Sequence, residues 1–216
     1  MSLCSPPSWI QADWQSSKNA TSAKFGFRYL NPQDIPAFRT LIQSLPYLIC
    51  PEWWLEAVCH NPNGDFSAIG CFVDDTLAGF IVVNLDFYNY ELRFGSSRFE
   101  YHLAQESDRK LASIESLGVD PLYQRHGIAS KLLNLALAGC RKHDLKPNLV
   151  YLRTHEENEA AQNLYKKLGF RKVHKLKRYY GEDSALVFVG NLSKKRANKD
   201  LFGKLAKVAA NLALVE

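Results

Sequence analysis

Runs of apolar residues separated by polar turns predict alternating strands and helices between residues 24 and 192. Two of these runs, "FSAIGCFV" and "LAGFIVVNL", flank Asp74-Asp75, which is the pattern of a β-hairpin. The remaining strand-like runs are "KFGFRYL", "ASIESLGV", "NLVYLRT", "RKVHKLKRYY" and "SALVFVGNL". Their alternation with helical segments predicts an α/β (α+β) fold with one mixed, mostly antiparallel sheet of about seven strands.

Apolar residues at helical spacing predict the helices that flank this sheet. The first stripe predicts a helix over residues 33–45 and consists of Ile35, Phe38, Leu41 and Ile42. A short helix is predicted around Trp53-Trp54. A longer one is predicted over residues 127–142, with the stripe Ile128, Leu132, Leu135 and Gly139 and with Leu133 and Leu137 beside it. The segment "NEAAQNLYKKLG" predicts a further helix that ends at Gly169.

Three parts of the chain lie outside this alternation. Residues 1–23 are polar without a sustained period and predict a flexible tail, and residues 86–110 predict no particular structure. In residues 193–216 lysines fall between apolar residues at helical spacing, which predicts a basic amphipathic helix. Such a helix fits an anionic membrane surface, or a face of its own domain or of a partner.

Composition narrows the class of protein. With 216 residues and 46% hydrophobic content, the chain is long enough for one buried core and is not of the disordered class. A formal charge of +5 fits an acidic ligand, but this excess is too small to predict a nucleic-acid partner. Five scattered cysteines have neither metal-ligand nor disulfide spacing, and there is no apolar signal segment. We therefore expect reduced thiols, no metal and a cytoplasmic protein.

The segment "QRHGIAS", residues 124–130, lies at the predicted start of the 127–142 helix. Backbone N–H groups in the first turn of a helix have no intrahelical partner, and the helix dipole adds positive potential there. A glycine lets an anion approach the backbone, and Arg125 and His126 add charge. The segment fits a phosphate site, or else an ordinary strand-to-helix connection.

Two motifs identify a family. Gln124-Arg125-His126-Gly127-Ile128-Ala129 resembles the Gln/Arg-x-x-Gly-x-Gly/Ala signature that follows the fourth strand of GNAT acetyltransferases. "NEAAQNLYKKLGF", residues 158–170, resembles the Asn, Ala-rich helix and "LYxKLGF" of the same family. The resemblance extends over residues 24–192 and implies a GNAT fold with acetyl-CoA as cosubstrate.

The resemblance also implies which residues bind the cosubstrate. The pyrophosphate would lie on Gln124, Arg125, His126, Gly127, Ile128, Ala129 and Ser130. The thioester arm would follow Leu117, Gly118 and Val119, with Asn158 contacting the pantetheine. Tyr165 would act as general acid toward the departing sulfur. Asn158 also fits a helix N-cap, and Tyr165 fits a core aromatic.

Two further stretches resemble the protein N-terminal acetyltransferases of this family, nearest to their Golgi-associated and N-terminal-methionine branches. "LPYLICPEWW" resembles their loop over the substrate's first residues, and "KRYYGEDSALVF" resembles the Tyr-Tyr hairpin on the other side of the peptide. The implied substrate residues are Trp53, Trp54, Tyr179 and Tyr180; plain packing is the alternative for all four. Because the Golgi-associated branch uses C-terminal helices at membranes, the resemblance also allows peripheral membrane contact through residues 193–216.

The catalytic base departs from the family pattern. Where related enzymes have a fourth-strand Tyr and a fifth-strand His or Glu, this chain has Ser113 and Arg153, neither of which is basic enough. Glu115 shares a strand face with Ser113 and matches the fourth-strand Glu of small-amine acetyltransferases, so we predict it as the base. An ion pair between Glu115 and Arg153 is the alternative, and His155 is a reserve base.

Three functions follow from these residues. The first is an N-acetyltransferase that modifies the α-amine of protein or peptide N-termini. The second is a small-amine, polyamine or lysine acetyltransferase that uses Glu115 as base. The third is a CoA-binding module with impaired catalysis, which Ser113 and Arg153 would explain.

Overall fold

The structure is a computed structural model that describes residues 14–15, 24–46, 48, 50–85, 103, 111–144 and 147–192. Eight strands are hydrogen-bonded in the order β1-β2-β3-β4-β5-β6-β8-β7. Seven of them have six or more residues, and the pairs are antiparallel except for the parallel pair β5–β6 among those whose register is resolved. The predicted mixed α/β fold is confirmed.

The bounds of the strands and helices agree with the sequence pattern to within a few residues. The strands are β1 Trp14–Gln15, β2 Lys24–Tyr29, β3 Phe66–Val73, β4 Thr76–Asn84, β5 Leu111–Val119, β6 Leu149–His155, β7 Arg171–Tyr180 and β8 Asp183–Asn191. The helices are α1 Ile35–Gln43, α2 Glu52–His60, α3 Ile128–Lys142 and α4 Glu159–Lys167. Short 3-10 turns precede α1 at Pro32–Asp34 and α3 at Pro121–Tyr123.

The chain forms two compact units, residues 1–83 with 116–136, and residues 84–115 with 137–216. In the first unit the predicted stripe of α1 is buried, as Ile35, Phe38, Leu41 and Ile42 all lie in the core. Phe38 packs edge-on against Phe80 of β4 with ring centroids 4.6 Å apart, and both side chains are 0% exposed. This aromatic pair fixes α1 on the sheet.

The start of the chain differs from the prediction at one place. Trp14 pairs with Phe25 and Gln15 with Lys24 in an antiparallel ladder. Part of the stretch predicted as a flexible tail is therefore a short strand, because the edge of β2 offers unpaired backbone groups. The rest of residues 1–23, nearly all of 86–110 and all of 193–216, including the predicted C-terminal helix, lie outside the described residues.

The entry into α1 is built around Asp34. The Asn31 side chain accepts a hydrogen bond from the Gln33 N–H, and the Asn31 N–H donates to Asp34 Oδ2 at 2.9 Å, which completes a capping box. Arg28 of β2 donates from both terminal nitrogens to Asp34, at 2.6 and 2.7 Å. Burial acts to raise the pKa of Asp34, but the hydrogen bonds from Arg28 and Asn31 outweigh it and hold that pKa below its ordinary value.

The second unit is organised by strand register. β5 runs parallel to β6 with Ser113 opposite Tyr151 and Ile114 opposite Leu152. β6 is antiparallel to β8, and β8 to β7. Helix α4 ends before Gly169, whose φ of 88° is the left-handed conformation of a helix C-terminal glycine, as predicted.

The buried face of α3 is slightly rotated from the predicted stripe. Ile128 and Leu132 are buried as expected, but Leu135 and Gly139 are half-buried, whereas Leu133, Ala136, Leu137 and Cys140 line the core. Burial raises the pKa of the Cys59, Cys71 and Cys140 thiols to about 12, so these cysteines act as small core residues. Within the described part of the chain, no helix combines the length and apolar character needed to cross a bilayer.

We expect Asp34→Asn to destabilise the fold by about 2 kcal/mol at pH 7, because the amide cannot accept two charged hydrogen bonds from Arg28. Since the folded-state pKa of Asp34 is lowered, its contribution is complete above about pH 4 and is lost as the pH falls through the folded value. Urea unfolding of wild type and variant should therefore converge in acid. Asp65→Asn is the control, and an equal, pH-independent loss in both variants would contradict the assignment.

Candidate functional site

The connection from β5 to α3 is fixed by its own hydrogen bonds. The Asp120 N–H donates to the Ala78 carbonyl at 2.9 Å, and the Asp120 carboxylate accepts from the Leu122 N–H at 2.8 Å. The Gln124 side chain donates back to the Val119 carbonyl at 3.1 Å. These contacts hold the end of β5 close to β4 and direct the chain toward the start of α3.

Two left-handed residues shape the turn itself. Arg125 has φ of 67° and Gly127 has φ of 83°. A side chain is strained in this region, so Gly127 serves both the backbone conformation and the open surface above it. The first helical hydrogen bond runs from the Lys131 N–H to the Gly127 carbonyl at 3.0 Å. The preceding N–H groups of α3 therefore point out of the helix end, as an anion site requires.

His126 stabilises this turn from within. Its Nδ1 lies 2.9 Å from the Gln124 carbonyl and 3.2 Å from the Tyr123 carbonyl. Two carbonyl acceptors require a proton on Nδ1, so the ring donates to the backbone. The ring also lies 6.1 Å from that of Phe25. His126 thus orders the turn, a role that its predicted contribution of charge did not include.

The last residues of β5 differ in orientation. A Cβ atom at Gly118 would lie 2.4 Å from Leu45 Cδ1 and 2.9 Å from Phe80 Cε1, so glycine is needed for close packing there. Leu117 and Val119, on the opposite face by strand alternation, are half-buried. Any contribution of Gly118 to cosubstrate binding is therefore made by its backbone.

A charged cluster lies where β5 and β6 run in parallel. Arg153 Nη2 is 3.9 Å from Glu115 Oε2, and these side chains are 19% and 11% exposed. Arg153 Nη1 also donates to the Tyr179 hydroxyl, and its guanidinium carbon lies 5.1 Å from the centre of the Tyr179 ring. The structure thus contains the Glu115–Arg153 ion pair that was the alternative to a catalytic Glu115. Buried Ser113 precedes the pair on β5.

The end of β7 is distorted in a way that brings Tyr179 to this cluster. Leu176 pairs with Ala185, but the next pair is Tyr180 with Asp183, so β7 carries extra residues between them. Arg178 in this bulge has φ of 54°, which is unusual for a residue with a side chain. The bulge re-aims Tyr179, and sequence alternation alone gave no sign of it.

His155 is engaged on both ring nitrogens. Nδ1 accepts from the Glu157 N–H at 3.2 Å, which places the proton on Nε2, and Nε2 lies 3.2 Å from Asp183 Oδ2. The ring stacks on Tyr180 with centroids 5.5 Å apart. His155 therefore holds the β7–β8 hairpin and is poorly placed as the reserve base. No role for Asp183 was predicted from the sequence. The signal that the sequence offered was the position of Asp183 at the β7–β8 turn.

Tyr165 and Asn158 both lie on or next to α4. The Tyr165 ring packs 5.9 Å from the rings of Phe170 and Phe188 and is nearly buried. Burial, and to a smaller extent Tyr180, raise the pKa of the Tyr165 phenol above its ordinary value. Asn158 Oδ1 accepts from the Ala161 N–H at 3.0 Å, so the predicted N-cap is present.

The two tryptophans have different environments. Trp54 is 7% exposed, with its ring centroid 6.2 Å from that of Phe38, whereas Trp53 is 52% exposed. Adjacent positions on a helix are about 100° apart around its axis, so one of the two side chains faces the core and the other faces solvent. We correct the prediction for Trp54, which packs in the core, whereas the substrate role of Trp53 stays a prediction. Tyr179 and Tyr180 are 39% and 42% exposed.

Residues 33–170 match the sequence model of the acetyltransferase (GNAT) family. The chain belongs to this family. It is 40% identical over 150 residues to the N-alpha-acetyltransferase of Saccharolobus solfataricus, covering 68% of this chain and 79% of that protein. It is 34% identical over 97 residues to N-alpha-acetyltransferase 30 of Saccharomyces cerevisiae.

The match to the yeast GNAT protein covers 43% of this chain and 54% of that protein, so the chain spans about half the length of that relative. Arabidopsis thaliana NAA60, solved in complex with acetyl-CoA, superposes with a TM-score of 0.62 at 22% identity, covering 77% of this chain and 98% of that one. At this identity the superposition shows the shared GNAT fold.

We expect Asn158→Ala to lower stability by about 1 kcal/mol through loss of the cap, and Asn158→Asp to retain it. If Asn158 also donates to a pantetheine carbonyl, both variants should weaken CoA binding, because aspartate has no amide donor. Thermal unfolding and CoA calorimetry separate the two roles. If Asn158→Asp binds CoA as tightly as the wild type, Asn158 acts as a helix cap and its amide does not donate to the pantetheine.

Proposed function

We propose that this GNAT protein is an acetyl-CoA-dependent N-acetyltransferase that modifies the α-amine of protein or peptide N-termini. The observation that carries the proposal is the turn with left-handed Arg125 and Gly127 at the start of α3, inside the region that matches the family model. The names of the relatives support the α-amine as acceptor.

The turn fits a diphosphate. Its outward N–H groups and the positive end of the 15-residue helix α3 complement negative charge, and Arg125 is exposed beside them. Ile128 is buried and anchors the helix, while Ala129 and Ser130 are small residues on the first turn. We assign these residues, with Gln124, His126 and Gly127, to coenzyme binding, and Leu117, Val119 and Asn158 to the pantetheine arm.

Acetyl-CoA supplies the acetyl group as a thioester, and the protein must manage two protons. The attacking amine loses one as its C–N bond forms, and the thiolate gains one as the C–S bond breaks. We propose that the Glu115 carboxylate, 3.9 Å from Arg153, receives the first proton through water. The Tyr165 phenol, which its raised pKa keeps protonated, donates the second.

We assign substrate contacts to the exposed pair Tyr179-Tyr180 on β7. For Trp53, exposed on α2, a substrate contact stays a prediction from the sequence. The Tyr179 hydroxyl is fixed by Arg153 and the Tyr180 ring by His155. Arg153, at the position where related enzymes have a base, thus orders a substrate contact. A preorganised pair of phenols lowers the entropy lost when a peptide binds.

The function is tested by incubating the protein with acetyl-CoA and equal amounts of three acceptors, followed by mass spectrometry. The acceptors are peptides with free α-amines, N-terminally blocked lysine peptides and spermidine. We expect acetylation at the α-amine. Product on lysine or spermidine alone would favour the small-amine function, and CoA binding with no product on any acceptor would favour the CoA-binding module.

We expect Tyr165→Phe to lower kcat about 100-fold with little change in KM or stability, because it removes the proton donor and retains the ring. Since the pKa of Tyr165 is raised, wild-type activity should show no loss from its ionisation up to about pH 10. Tyr151→Phe, another buried phenol, is the control. A normal kcat in Tyr165→Phe would exclude it as the acid.

We expect Glu115→Gln to lower the rate about 100-fold at neutral pH and to recover partly at higher pH, where the amine is already neutral. The pH–rate profile of the α-amine peptide reports this shift. Glu157→Gln, an exposed neighbour, should behave as wild type. A pH–rate profile like that of the wild type, together with a raised KM, would show instead that Glu115 helps to position the substrate through Arg153.

A further inference from the structure

Basic side chains are concentrated on β7. Arg171, Lys172, Lys175, Lys177 and Arg178 are all exposed on this strand, and we call these five residues the basic strip. Of the chain's 27 Lys and Arg residues, seven fall between residues 160 and 181, a stretch with no Asp or Glu. Residues 193–216 hold a smaller excess, with six Lys and Arg residues against two acidic ones, and in the rest of the chain the acidic residues outnumber the basic ones. Within the part of the chain that the structure describes, the positive excess is therefore on and next to this strand.

The basic strip follows a strand at the end of the sheet order. β7 is the last strand in the sheet order, and its ten residues span about 33 Å. Lys166 and Lys167, in the last turn of α4, extend the charge beyond the start of the strand. Lysines on an edge strand discourage edge-to-edge pairing, but that role does not explain why the charge continues onto α4.

In the part of the chain that the structure describes, the acidic groups around the β7–β8 hairpin are paired or lie in its turn. Glu156 pairs with Lys175, and Asp183 pairs with His155 at 3.2 Å. Glu182 is exposed in the turn after Tyr180. Among the described residues, the charge along β7 is therefore mainly positive, and Lys172, Lys177 and Arg178 contribute to it.

We propose that the basic strip binds an acidic segment of the substrate protein, downstream of the N-terminus that is acetylated. This proposal rests on the proposed function, which assigns the first residues of the substrate to Tyr179 and Tyr180. The strip begins at Arg178, directly before that pair. An extended substrate chain advances about 3.3 Å per residue, so its residues from roughly the fourth to the tenth can reach the strip.

Other anionic partners fit the strip less well. Leu176 of β7 is buried and Val173 is half-buried, so the exposed aromatic side chains of this strand, Tyr179 and Tyr180, lie at one end of the basic strip and not along it. A membrane would therefore find apolar contacts at that end alone. A nucleic acid on the strip would not have to contact Tyr179 and Tyr180. A peptide substrate bound at these tyrosines, in contrast, continues with further residues that can reach the strip. The position of the basic strip next to the tyrosine pair therefore favours an acidic peptide substrate as its partner.

The test uses the full chain, acetyl-CoA and two 15-residue peptides with the same first four residues. One continues with Gly and Ser, and the other with Asp and Glu. At 50 mM salt we expect kcat/KM about tenfold higher for the acidic peptide, mainly through KM, since several exposed ion pairs form. At 500 mM salt the difference should disappear because the charges are screened.

The double variant Lys172→Gln with Lys177→Gln should lose most of this preference and keep its rate on the neutral peptide. Arg141→Gln with Lys142→Gln removes the same charge from exposed residues at the end of α3 and should keep the preference. Equal kcat/KM for the two peptides in the wild type, or an equal loss in both double variants, would overturn the proposal.

Two further measurements separate the alternatives. If a 12-nucleotide single-stranded RNA or phosphatidylserine vesicles bind through Lys172 and Lys177 while both peptides react equally, the strip serves that partner and our proposal is wrong. If neither peptide is acetylated, the proposed function fails. Fluorescence anisotropy of the labelled acidic peptide then still tests whether the basic strip binds acidic peptides. Salt-sensitive binding that the Lys172/Lys177 double variant loses would support the proposal, and the absence of such binding would refute it.

Discussion

Parallel hydrogen bonding between β5 and β6 sets Ile114 opposite Leu152, so Glu115 and Arg153 come next to each other at the following position. Their side chains are mostly buried and 3.9 Å apart, where opposite charges stabilise each other. Without Glu115 the guanidinium would be a poorly compensated charge, and without Arg153 the Tyr179 hydroxyl would lose its donor. The position of Tyr179 on the β7–β8 hairpin therefore depends on the register between β5 and β6, although neither of these strands belongs to the hairpin.

Backbone conformation has a comparable part in both halves of the candidate site. Arg125 and Gly127 take left-handed conformations at the start of α3, and Arg178 does so in the bulge of β7. Such conformations persist when surrounding contacts compensate their strain. The contacts here are the His126 bonds to two carbonyls and the Arg153 bond to Tyr179. The chain uses local strain to present N–H groups in one place and phenols in the other.

Burial separates residues that look alike in the sequence. Trp53 and Trp54 are neighbours, yet one faces solvent and the other packs on Phe38. Tyr165 is enclosed by Phe170 and Phe188, which keeps its phenol protonated, while Tyr179 and Tyr180 remain accessible. Packing thus separates core side chains from accessible ones within the same aromatic class, and the roles that we propose for Tyr165, Tyr179 and Tyr180 depend on that difference.

The sequence alone determined strands β2 to β8 and helices α1 to α4, but not β1. It also determined the α1 core stripe, the cap at Asn158 and the glycine turn at Gly127, because each depends on residues within a few positions of one another. It also indicated the Glu115–Arg153 pair as one of two alternatives. Only the tertiary structure decided that this pair forms, that His155 binds Asp183, that Trp54 is core, and that a bulge turns Tyr179 toward Arg153. These contacts join residues far apart in the chain, and strand register and packing, which no local pattern encodes, bring them together.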